Sequence, residues 1–147
     1  MSNNEIISLK PGRDLDLEAA LKIMDYMWIT HLLRFSAEMA VKWIGTQQDL
    51  DEAGGVFIPV KPVDFQELKY RENFDENVPA YSTSSTHAQA IIEKMTALGY
   101  TYHCEEGTAD GQTTYTVGFE ISAKPVKKIA AAHQAEAIVK AALLAIS

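Results

Sequence analysis

The chain has 147 residues, a formal net charge of −7 and one cysteine, with 47% hydrophobic and 22% charged residues. That length and composition describe one packed domain, 1–147, which buries about two-thirds of its unfolded surface and needs no staple. They argue against wholesale disorder, intrachain disulfides and a phosphate-tracking nucleic-acid surface, which needs clustered Lys and Arg.

Residues 1–13 predict a flexible lead, broken by Pro11 and Gly12. Residues 1–10 lack the basic start and apolar core of a signal peptide, and the lone Cys104 suits a reducing compartment, so the cytoplasm is the expected location. Asp14 is the expected cap of a helix over about 15–26, where Leu17, Leu21, Met24 and Trp28 recur at helical spacing. Asp16, Glu18, Lys22 and Asp25 fall mostly elsewhere around that helix.

Residues 27–35 suit a strand, and 42–44 and 56–60 are two further β segments, read as a hairpin with its tip near 47–55. Residues 61–80, with Pro62, Pro79 and five acids, read as a long surface loop. Tyr81, Ser82, Thr83, Ser84, Ser85 and Thr86 then offer caps for a helix whose buried face is Ala88, Ile91, Ile92, Met95 and Leu98, with Gly99 as its stop.

A strand over 100–105, the turn Asp110-Gly111 and an alternating strand over 113–122 predict a second hairpin. A final helix over about 127–146 is apolar almost all round, which means either a sandwiched helix or self-association. The resulting order, α-β-β-α-β-β-α, predicts an α+β fold with one antiparallel sheet of about four strands covered by helices.

Pro79-Ala80-Tyr81-Ser82-Thr83, then Ala88 to Met95 and Leu98-Gly99-Tyr100, resemble the phage α-β-α sandwich domain family. The early Ile23-Met24 to Trp28 segment and the alanine-rich ending Ala141-Ala142-Leu143-Leu144-Ala145 extend that resemblance over most of the chain. Ser84 stands where the family pattern usually has an acid, and either residue caps a helix. The resemblance implies a fold and a phage origin, without a reaction to transfer. By analogy of type, small phage anti-defence sponges such as the anti-Thoeris proteins sequester nucleotide second messengers.

Two groups of residues have ligand-binding chemistry. Tyr81, Ser82, Thr83 and Ser84 bring hydroxyls and backbone N–H groups to a helix start, the place where a phosphate is held, although every helix also needs a cap there. Trp28, His31, Arg34 and Phe35 combine a guanidinium that clamps phosphate with rings that stack on a base; the plainer reading is a surface arginine beside a core aromatic. His103-Cys104-Glu105-Glu106 is not expected to bind metal, because strand neighbours alternate faces and no companion zinc spacing exists.

The nucleophile-elbow, Walker and dinucleotide glycine patterns are absent from the sequence. The expected function is therefore non-enzymatic, with no cofactor or metal. A phage-encoded protein would bind a phosphate-bearing messenger, cyclic ADP-ribose-like or a cyclic oligonucleotide, and lower its free concentration. A homo-oligomer is the expected assembly, with no nucleic-acid or membrane partner. The alternatives are an acidic protein that inhibits a host factor by contact, from the acids between Asp49 and Glu76, and a phosphodiesterase of the same signals.

Overall fold

A computed structural model describes residues 3–31, 42–53, 55, 57–59, 78–122 and 124–147. The chain expected as one domain groups into two compact units, Asp25–Val78 and the pair of segments Met1–Met24 and Pro79–Ser147. The fold class is α+β, with antiparallel sheets, as the hydrophobic patterning predicts.

In the larger unit the expected flexible lead contains a helix, α1 (Asn3–Ser8), which buries Ile6. Helix α2 (Arg13–Lys22) starts two residues earlier than predicted, so Asp14 sits in its first turn instead of capping it. It also stops earlier than predicted: Asp25 has φ 60, a left-handed conformation that a continuing helix does not allow. Asp16, expected on the wet side of this helix, is fully buried.

Helix α4 (Ser85–Ala97) begins at Ser84, whose hydroxyl accepts from the His87 N–H at 3.5 Å. Its buried face holds Ala88, Ile91 and Met95, whereas Leu98 is 49% exposed. The helix ends as its glycine predicts. Gly99 takes φ 97, the Gly99 N–H donates to Thr96 O, and the Tyr100 N–H donates to Met95 O, the paired bonds of a Schellman end.

Strands β4 (Thr101–Ala109) and β5 (Gln112–Glu120) form a hairpin in continuous one-to-one register from Thr101↔Glu120 to Ala109↔Gln112. Asp110 and Gly111 close it with φ of 53 and 76, the two positive values of a type I′ turn. A third strand, β6 (Ile129–Ala131), pairs with β5, so the sheet order is β4-β5-β6. The last helix, α5 (Gln134–Ile146), therefore starts seven residues later than predicted from about 127.

Helix α5 packs on β5 and β6 and is also met by α1, α2 and α4. That double covering explains its composition: every residue from Ala137 to Leu144 is buried. The apolar helix is a sandwiched core helix.

In the smaller unit, β1 (Met27–His31) is central, flanked by β2 (Lys42–Gly45) and β3 (Phe57–Pro59), with all pairs antiparallel. The hairpin expected between 42–44 and 56–60 does not form. Residues 47–53 make helix α3 (Gln47–Ala53) where the tip was expected, and both strands pair with β1. Asp49 starts that helix by accepting from the Thr46 N–H at 2.8 Å. The sheet predicted with about four strands is thus two sheets of three. Most of the predicted loop, 61–77, lies outside the described residues.

Candidate functional site

The hydroxyl-rich segment before α4 is built into the core. Tyr81 and Ser82 are buried, Thr83 is exposed and Ser84 is the helix cap. The Ser82 backbone N–H donates to Asp16 Oδ1 at 2.7 Å, and its hydroxyl lies 2.6 Å from the same oxygen. The Gly12 N–H donates to Ser82 Oγ at 2.8 Å, and Arg13 donates to Asp16 Oδ2 at 2.9 Å. A buried carboxylate is tolerated only with such partners. The Ser82 hydroxyl therefore ties the α4 entrance to α2 across 66 residues of sequence.

The aromatic and basic candidates belong to the other unit. Trp28 is buried in β1, and His31 ends that strand opposite Phe57. Arg34 and Phe35 lie outside the described residues. Among the described residues, no group of three or more His, Cys, Asp or Glu is arranged to hold a metal. Also among the described residues, no helix is long and apolar enough to cross a membrane.

A cavity of about 230 Å³ opens elsewhere in the larger unit, at the C-terminal end of α5. Tyr100, Phe119, Ile121 and Ala145 form walls, and Lys124 and Lys127 stand on the connection from β5 to β6. Three carbonyl contacts shape this end of the helix. The Tyr100 hydroxyl donates to Ala145 O at 3.3 Å, Lys127 Nζ to Leu144 O at 3.5 Å, and the Ser147 hydroxyl to Leu144 O at 2.9 Å.

Lys127 thus complements the negative end of the helix dipole, while Lys124 is exposed and carries the cavity's second positive charge. The connection is held tightly to the sheet. A Cβ on Gly118 would meet Val126 Cγ1 at 2.7 Å and Lys128 Cγ at 3.2 Å, so glycine is what lets the strap cross β5.

These lysines lie outside both groups of candidate residues named from the sequence. The available signal was their clustering: Lys124, Lys127 and Lys128 fall within five positions of an otherwise acidic chain. Apolar walls with two lysines in the lining suit a ring that carries an anionic group.

The chain is similar in fold to a phage protein from Bacillus cereus ATCC 14579. That protein's crystal structure superposes with a TM-score of 0.51 at 20% sequence identity, covering 97% of this chain and 94% of the other. The likeness is one of fold. No family model matches the sequence, and no curated protein matches it.

Proposed function

We propose that this is a phage-encoded protein that acts by binding, taking up a nucleotide second messenger of the cyclic ADP-ribose-like or cyclic oligonucleotide class and lowering its free concentration. The observation that carries this reading is the cavity at the end of α5, which Lys124 and Lys127 line together with Tyr100, Phe119 and Ile121. The fold likeness to a phage protein supports the origin. The lysines supply charge for a phosphate, and the walls supply contact for a base.

Sequestration needs affinity without turnover. At about 230 Å³ the cavity is below the roughly 300–1,000 Å³ of drug-sized sites, so at most one nucleotide unit of a larger messenger would be held in it.

The test is incubation of excess protein with each candidate messenger, followed by chromatography of the free fraction before and after boiling. Stoichiometric loss of one messenger and its intact return on denaturation is the expected result. A chemically altered messenger would replace sequestration by catalysis, and no depletion of any candidate would overturn the small-ligand reading.

A further inference from the structure

Strand β4 is nine residues long and lies at the edge of its sheet, and eight of its nine residues are exposed. Natural edge strands are normally blunted by shortness, proline, lysine or a bulge. β4 has no proline and no lysine, its register with β5 runs without a bulge, and its charged side chains are the carboxylates of Glu105 and Glu106. By contrast, β6 at the opposite edge is only three residues long. Every second residue of β4 turns its N–H and C=O away from β5, so among the described residues a long ladder stands open.

We propose that this edge pairs with β4 of a second copy of the chain, antiparallel, with Cys104 on the two-fold axis, to give a continuous six-stranded sheet. No residue of β4 lines the ligand cavity, and from α5 the strand meets the Gln134 amide, which reaches the Tyr102 hydroxyl at 3.1 Å and Cys104 Sγ at 3.7 Å. Directly opposed residues share a face of the sheet, so a two-fold axis normal to it passes through a residue. The choice of residue then follows from charge. An axis on Glu105 or Glu106 sets each carboxylate against its own copy, which is unfavourable.

An axis on Cys104 places His103 opposite the second copy's Glu105. His103 already contacts Glu120 at 2.7 Å, and Glu105 lies 3.9 Å from Lys128. Across the axis these groups line up as Glu120, His103, then Glu105 and Lys128 of the second copy, an alternating row of acid and base made twice by symmetry. Seven residues of each strand, 101–107, overlap in this register.

The register makes a distance prediction. Opposed residues in an antiparallel ladder lie about 4.5–5.5 Å apart between Cα atoms. A disulfide requires about 4.4–6.8 Å. Cys104, the chain's one cysteine, is exposed.

The experiment is sedimentation of the full chain over a concentration series, with diamide oxidation read on a non-reducing gel, for wild type, Cys104→Ser and Cys104→Arg. The expected result is a dimer for wild type and Cys104→Ser, near-complete Cys104 cross-linking in wild type, and a folded monomer for Cys104→Arg, whose guanidiniums would face each other on the axis. Circular dichroism of the arginine variant checks that it is folded, and Glu105→Lys, which opposes an ammonium to His103, should dissociate the dimer as a second variant. A wild-type monomer at all concentrations, or a dimer that neither cross-links nor responds to both substitutions, would overturn the proposal.

Discussion

Charged groups in the larger unit serve two opposite ends. Around Asp16 and around Lys140 they are buried and matched inside the protein. Asp16 is held by Ser82 and Arg13, while Lys140 donates to Glu136 at 2.8 Å and to the Ile7 carbonyl at 2.9 Å. At the far end of α5, Lys124 remains at the surface. A buried ion must be satisfied by its own chain, because water is not there to do it. A surface ion is free to take an external partner. Residue types that look equivalent in sequence thus divide by depth into those that hold the fold and those available to a ligand.

The first test of that division is Asp16→Ala. It leaves the buried Ser82 N–H without its acceptor and the Ser82 hydroxyl with only the Gly12 carbonyl at 3.1 Å, and should lower stability by about 2–3 kcal/mol in urea unfolding. Arg13→Ala removes the more exposed partner of the same carboxylate and should cost about 1 kcal/mol or less.

Lys140→Ala should cost about 3 kcal/mol, since it strands the Glu136 carboxylate at a half-buried site and the carbonyl of Ile7. The paired replacement Lys140→Met with Glu136→Leu should recover most of that loss. If the double variant is as unstable as the single one, α1 is held by the carbonyl bond to Lys140 and not by packing.

At the other extreme, Lys124→Glu and Lys127→Glu should each change stability by less than about 1 kcal/mol, with Lys127 the larger because it meets a helix end. Both should abolish ligand uptake. Loss of stability comparable to Asp16→Ala would put the cavity lysines among the structural groups.

The smallest effect belongs to Tyr102, whose hydroxyl is pushed up to about 12, by burial first and then by the Cys104 thiol beside it, against a lowering contribution from Gln134. Its folded pKa lies above the unfolded value of about 10, so the folded state keeps its proton longer. The associated stability is constant below pH 10 and falls as pH rises from about 10 to about 12. Absorbance titration should show a late phenolate step that Tyr102→Phe removes.

Local signals made part of this molecule legible in its sequence. The β4–β5 hairpin follows from alternation and from Asp110-Gly111, and α4 follows from Ser84 and Gly99. Strand β6 escaped because three residues cannot show a period, and its absence moved the predicted start of α5. The order β2-β1-β3 escaped for a different reason: which strand pairs with β1 depends on closure between distant segments. Burial of Asp16 was hidden in the same way, since its partner Ser82 lies 66 residues away. The candidate site was least legible, because Tyr100, Phe119, Lys124 and Ala145 meet only when the sheet and α5 are packed.

In the proposed function Lys124 and Lys127 hold a messenger against the end of α5. Its most direct test is thermal unfolding of wild type and the Lys124→Glu/Lys127→Glu double variant against a panel of cyclic nucleotides and ADP-ribose isomers. At a hundred times its dissociation constant, a true ligand should stabilise wild type by about 2.7 kcal/mol and leave the double variant unmoved. A ligand that stabilises both proteins equally would contradict this location, and a panel that stabilises neither would contradict the function.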